Sequence, residues 1–210
     1  MLELKTIKKA YHSQVVLQDA SLSLAKGIYW VKGNNGSGKT TLLKMIAGLL
    51  PFEGDILYND ISQKSKPIEY RKQVSWAEAE PLYPAFITGM DLIRFYQNIR
   101  KVPATEVEQL LALFDMSNYI KSPIGTYSAG MTKKLSLVLA FMGSPPLCIL
   151  DEPLITLDAA TVTLVSAYIQ ERHQQSGSMF ILSSHQELEI QLTLTGKEIT
   201  ISNQRLSYSI

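Results

Sequence analysis

Eight consecutive residues, Gly33-Asn34-Asn35-Gly36-Ser37-Gly38-Lys39-Thr40, carry the residue types and spacing of a loop that cradles phosphate. The glycines permit a backbone approach that a Cβ would block, so the main-chain N–H groups and the N-terminus of a following helix point at phosphate oxygens. Lys39 is expected to reach the β- and γ-phosphates and the Thr40 hydroxyl to ligate Mg²⁺, with Thr41 completing the nucleotide contacts. The four fixed positions of the pattern coincide by chance at roughly 4 × 10⁻⁵ per starting residue, under about one in a hundred over this length.

A second group is Asp151-Glu152, directly after the apolar run Leu147-Cys148-Ile149-Leu150. Carboxylates at the C-terminal mouth of an apolar strand stand where parallel α/β sheets collect ligands. Asp151 suits Mg²⁺ held through its water shell, and Glu152 suits the water that attacks a γ-phosphate. Alone, the pair reads equally as a helix-capping turn; the phosphate loop decides for chemistry. His185 follows Ser183-Ser184 at the end of the strand-like Met179-Phe180-Ile181-Leu182, and taken alone it reads equally as a surface or capping residue.

These groups need a scaffold of alternating strands and helices. Gly27 to Lys32 is a short apolar, β-branched and aromatic run ending at Gly33, and Lys39 to Leu50 follows with helical spacing at Leu42, Leu43, Ile46 and Leu49. Leu2 to Ile7 and Gln14 to Leu24 read as strands of a small N-terminal β subdomain. From about Ile87 to Gly143 the pattern is helical, with capping boxes expected at Thr88/Asp91 and Thr105/Glu108. Strands return at Leu147–Leu150 and Met179–Leu182 with a helix between them, which predicts a parallel sheet. Glu198 to Tyr208 alternates around Asn203-Gln204 like a closing hairpin.

The chain has 210 residues, of which 46% are hydrophobic and 19% charged, enough for one substantial α/β core with an inserted subdomain. A formal charge of +1 offers no basic excess to a nucleic-acid backbone, so no nucleic-acid partner is expected. The single cysteine, Cys148, reads as a small buried hydrophobe in a reducing compartment. No stretch reaches the roughly 20 apolar residues of a membrane span, which predicts a cytosolic location.

With these motifs in order, the chain resembles the ATP-binding cassette (ABC) ATPases over nearly its whole length. The most specific mark is Tyr127-Ser128-Ala129-Gly130-Met131, which stands where that family carries its Leu-Ser-Gly-Gly-Gln signature, between the phosphate loop and the acidic pair. The resemblance implies a phosphate-loop NTPase core with a mainly parallel sheet, an N-terminal antiparallel β subdomain and an inserted helical subdomain at about 80–145, all within one nucleotide-binding domain over 1–210. It implies that Tyr11 stacks on adenine and that His185 contacts the γ-phosphate. Asp158 matches the aspartate of the loop that joins two active sites. It further implies a head-to-tail dimer, with an identical or a related chain, in which Ser128, Ala129 and Gly130 cover ATP held by the partner. The ATPase then powers an integral-membrane permease gripped by the helical subdomain, and the chain sits peripherally at the inner face of the membrane.

Two departures stand out. Ala129 replaces the first signature glycine and Tyr127 the leading leucine. The loop that normally holds a metal-sensing glutamine reads Trp76-Ala77-Glu78-Ala79-Glu80, so that position falls on Glu78 or Ala79. Glu78 remains a candidate metal ligand; an alanine is none. A non-transport ABC ATPase working as a mechanical module is the alternative reading, although such relatives carry tandem cassettes or long coiled coils that this chain lacks.

Overall fold

β1 (Leu2–Tyr11) and β2 (Gln14–Leu24) form an antiparallel pair that runs from Tyr11 opposite Gln14 to Leu2 opposite Leu24. The computed structural model describes residues 1–184 and 196–209. β3 (Ile28–Lys32) leads into α1 (Lys39–Ile46), and β4 (Glu53–Tyr58) and β5 (Ile61–Ser62) then join the first sheet, in the order β2-β1-β4-β5. Alternation points Leu2 and Leu4 of β1 inward, and a register shift between Leu4 and Ile7, with Thr6 at φ 49°, returns Ile7 to the same buried face.

A second sheet follows the order β10-β9-β3-β8-β7-β6. Its strands β6 (Val74–Ala77), β7 (Leu147–Leu150), β8 (Met179–Ser183), β3 and β9 (Gly196–Ser202) are parallel, and β10 (Arg205–Ser209) is antiparallel to β9. Every residue of β7 and β8 is buried, the continuous apolar pattern of strands covered on both faces. Tyr29, Val31, Ile149 and Ile181 point to one face and pack with Leu42, Leu43 and Ile46 of α1 and with the first sheet. Ile28, Trp30, Cys148, Leu150, Phe180 and Leu182 point to the other face.

That second face is covered by α6 (Ala159–Ser176) and by the helical subdomain inserted between β6 and β7. The subdomain holds α3 (Gly89–Arg100), α4 (Ala104–Leu113), a 3-10 turn (Ile124–Thr126) and α5 (Ala129–Phe141). Ile93, Leu110, Phe114 and Ile120 continue the apolar layer that Leu135 to Phe141 bring down onto the sheet. A short helix, α2 (Pro67–Lys72), precedes β6.

The Thr88/Asp91 capping box forms as expected: the Asp91 amide donates to Thr88 Oγ1 and the Thr88 amide to Asp91 Oδ2, each at 3.1 Å. The Thr105/Glu108 box does not. α4 begins at Ala104 with Pro103 as its N-cap, which leaves Thr105 inside the first turn with its hydroxyl past the open amides. The helix expected over Lys39 to Leu50 ends at Ile46, because Gly48 turns the chain at φ 74° and leaves Leu49 52% exposed although its spacing continues the apolar stripe. The closing hairpin forms, with Asn203 and Gln204 both at positive φ in a two-residue turn between Ser202 and Arg205. Cys148 is buried as expected, and burial pushes its thiol up to about 11.

Candidate functional site

Parallel pairing brings four strand ends to one edge. Val31 is opposite Ser183, Leu150 opposite Leu182, and Ala77 opposite Leu150. The phosphate loop, Ser183, Asp151 and Glu78 therefore leave the carboxyl edge side by side, although they are scattered over more than half of the chain.

The phosphate loop turns through a hydrogen bond from the Ser37 amide to the Asn34 carbonyl at 3.0 Å. Gly38 caps α1 in the left-handed region at φ 102°, and a Cβ there would stand 2.5 Å from Val16 Cγ1, so only glycine fits. Gly33, Asn34, Asn35 and Gly36 make up the turn before it. Lys39 is 5% exposed, and its amine donates to the carbonyls of Gly33 at 2.7 Å and Asn34 at 3.2 Å. Burial lowers its pKa, against the raising influence of Glu152 and Asp151, which puts the three charged groups within one electrostatic field. Thr40 and Thr41 continue the first turn of α1.

Asp151 is buried, and its amide donates to the Ala77 carbonyl at 2.8 Å. Its Oδ1 accepts a 2.6 Å hydrogen bond from Ser183 Oγ, which in turn accepts from the Glu152 amide at 2.9 Å. Glu152 sits in the left-handed region at φ 45°, a conformation that costs a non-glycine residue about 1 kcal/mol and persists where neighbours enforce it. Asp151 Oδ2 and Ser37 Oγ are buried and have no hydrogen-bond partner among the described residues. An orphaned carboxylate oxygen beside a hydroxyl-bearing phosphate loop fits a hard cation shared with a ligand's phosphates. Magnesium is held this way, through one or two carboxylates plus substrate oxygens, and among the described residues no cluster of three His, Cys, Asp or Glu forms a protein-only cage.

Two contributors escape a reading of motifs. Ser183 appears in the sequence only as the residue two before His185, and its signal is a small hydroxyl ending an apolar strand. Lys133, five residues beyond Ser128 on α5, is 1% exposed. Its amine donates to the carbonyls of Glu78 at 3.1 Å, Ala79, and Glu152 at 3.2 Å. Burial lowers its pKa to about 8, opposed by the carboxylates of Asp151, Glu152, Glu80 and Glu78. Its signal is faint, because Lys133 and Lys134 stand together before the largely apolar Leu135–Phe141 and nothing local says which of them is buried.

The Glu78 carboxylate pairs with Lys44 Nζ of α1 at 2.8 Å. Tyr11 ends β1, is 43% exposed, and has Lys9 Nζ 4.7 Å from its ring centroid, so it does not cover the core. The hairpin that carries it touches the phosphate loop through Val16. Ser128 caps α5, accepting from the Met131 amide at 3.2 Å, and Ala129 and Gly130 open the helix. Among the described residues these three share no hydrogen bond with the phosphate loop of their own chain. Asp158 caps α6 by accepting from the Thr161 amide at 2.8 Å. His185 lies outside the described residues.

The chain is similar to known proteins over most of its length. The model of the family described as "ABC transporter" matches residues 17–155. A protein of Legionella pneumophila named "Cytochrome c biogenesis ATP-binding export protein CcmA" is 35% identical over 193 residues, which cover 90% of this chain and 95% of that protein. Among solved structures, an ATP-binding subunit of an ABC transporter is 26% identical and superposes with a TM-score of 0.86 over 100% of this chain and 89% of its own. A dimeric ATP-binding cassette bound to ADP and phosphate gives a TM-score of 0.88 over 100% of this chain and 98% of its own; at 16% identity it shows the shared fold. Among the described residues no helix is long and apolar enough to cross a membrane. The chain therefore belongs to the ABC transporter family, as an ATP-binding subunit.

Proposed function

We propose that this subunit, working as one nucleotide-binding unit over residues 1–210, hydrolyses ATP with Mg²⁺ to drive export through an integral-membrane permease. The observation that carries the reading is the common edge of the sheet, where the phosphate loop and the Asp151–Glu152 turn leave neighbouring parallel strands with Ser183 between them and the charges of Glu152 and Asp151 act on the Lys39 amine. Lys39 binds the β- and γ-phosphates, and Thr40 and Asp151 hold Mg²⁺, which neutralises phosphate charge when bound. Glu152 orients a water and takes its proton as the water oxygen bonds to the γ-phosphorus and the bond to the bridging oxygen of ADP breaks. His185 contacts the γ-phosphate and Tyr11 stacks on adenine.

Ser128 and Gly130 open α5 at an exposed helix N-terminus, which suits a phosphate brought by a second cassette chain. The reading therefore includes a head-to-tail dimer closing over two ATP molecules. Export as the direction is supported by the 35% identical export protein of Legionella pneumophila. A surface for the permease is supported by the groove of Ile68, Phe95, Ile99 and Met142, in which Phe95 is 59% and Ile99 65% exposed on α3. Binding a permease would hold the chain at the inner face of the membrane.

The test is Mg²⁺-dependent ATP hydrolysis and ATP-driven dimerisation of the purified chain, beside Glu152→Gln. The reading expects hydrolysis by the wild type, and loss of turnover with an ATP-trapped dimer in the variant. Wild-type turnover in Glu152→Gln would overturn it.

A further inference from the structure

We propose that Lys133 is a positioning residue for Glu152, tying the signature helix α5 to the acidic turn through the main chain. The inference rests on the ATPase reading above and extends it to a residue outside the nucleotide motifs.

A lysine ammonium has three N–H donors and no acceptor. At Lys133 all three have partners: the carbonyls of Glu78 and Ala79 in the loop after β6, and the carbonyl of Glu152 in the turn after β7. Burying a charge costs several kcal/mol unless hydrogen bonds replace its water, so this satisfied geometry explains how a lysine persists at 1% exposure. A shorter polar residue on α5 would not span the gap, and an apolar one would take this donor from all three carbonyls.

The consequence lies at Glu152. Its backbone is in the left-handed region and is gripped on both sides: the amide donates to Ser183 Oγ of β8, and the carbonyl accepts from Lys133 of α5. With both peptide groups pinned to separate elements, the direction in which the side chain leaves the turn is set. Ser183 belongs to the rigid sheet, whereas Lys133 stands one turn and a half from Ser128, which caps the same helix. A shift of α5 when Ser128 and Gly130 meet a partner's nucleotide would therefore pull on the Glu152 carbonyl and on the loop at Glu78–Ala79 together. The catalytic carboxylate, the loop beside it and the signature helix share one amine.

The experiment compares the full chain, Lys133→Met, Glu152→Gln and the double variant, measuring kcat, the KM for ATP and binding of ATP. Lys133→Met is expected to lower kcat by about tenfold or more with the KM for ATP within about twofold. If Lys133 acts through Glu152, the double variant hydrolyses within about twofold of Glu152→Gln alone. Wild-type kcat in Lys133→Met overturns the inference and leaves the ATPase reading intact. So does an equal loss from Lys133→Met in both backgrounds, the sign of a merely structural role. Wild-type turnover in Glu152→Gln overturns both. Should Lys133→Met fail to bind ATP, Lys133→Gln, which keeps amide donors, decides: a lowered kcat at unchanged KM supports the inference and wild-type kcat rejects it.

Discussion

Ser183 Oγ donates a 2.6 Å hydrogen bond to Oδ1 of Asp151, from the neighbouring strand. The same oxygen accepts from the Glu152 amide, so Ser183→Ala takes the donor from a buried carboxylate oxygen and the acceptor from a part-buried amide at once. Each such loss costs about 1–3 kcal/mol. The denaturation midpoint in urea is expected to fall accordingly, and half-maximal ATPase activity is expected to need several-fold more Mg²⁺, since Asp151 loses its orientation. Unchanged stability and Mg²⁺ dependence would refute this account of the turn.

Gly130 faces a separate constraint. A Cβ there would stand 2.9 Å from the Thr156 carbonyl, closer than a relaxed contact allows. Gly130→Ala is expected to push the start of α5 away from the loop at Thr156 while leaving the phosphate loop untouched. ATP binding to the single chain should stay within about twofold in an equilibrium titration, and ATP-driven dimerisation in the Glu152→Gln background should weaken by about tenfold. Loss of ATP binding itself would count against the division between the two surfaces.

On α3, Phe95 and Ile99 are large apolar side chains held in solvent. Phe95→Glu and Ile99→Glu exchange exposed positions and are expected to change stability by no more than about 0.5 kcal/mol. If this groove receives the permease, both variants keep ATPase activity as purified chains and lose co-purification with the membrane fraction. Undiminished recovery with membranes would place the permease elsewhere.

Cys148 has its thiol pushed up from 9.0 to about 11, chiefly by burial, with Ser75, Arg100 and Arg172 opposing. A raised pKa means that the folded chain holds a proton the unfolded chain releases first. The contribution to stability is full below pH 9, and it declines above that until the folded thiol itself ionises near 11. Relative to Cys148→Ala, the wild type is therefore expected to lose stability on raising the pH from 8.5 to about 10.5, followed by denaturant melts. At pH 8 an aromatic disulfide reagent should leave the native thiol unmodified and react fully after denaturation.

The legible parts of this protein are the local ones. The phosphate loop declares itself because eight adjacent residues carry its whole geometry, and the Asn203–Gln204 turn because two residues at positive φ suffice. Thr88 caps its helix through a partner three residues away, whereas the similar Thr105 fails because Pro103 starts α4 earlier. Ser183 and Lys133 are a different case. Their roles depend on β8 lying between β3 and β7, and on α5 passing over the loop after β6, relationships made by pairing across the whole chain. Likewise β4 draws its register from β1 and β5 draws its register from β4, and Glu53–Tyr58 alone carries a weak strand signal, with Gly54 and Asp55 inside it.

The strand that launches the phosphate loop, Ile28–Lys32, pairs on one side with Gly196–Ser202, and Lys32 is bonded to Glu198 across 166 positions. During synthesis, β3 emerges from the ribosome long before that neighbour exists. At about 5–20 residues per second, the nascent chain waits on the order of ten seconds or more with one edge of β3 unpaired. Such distant pairing slows folding and exposes an edge to other chains. The nucleotide loop is thus among the first parts translated, while the sheet that steadies it is among the last to close, so a chain arrested before residue 196 would carry its phosphate motif on an unfinished foundation.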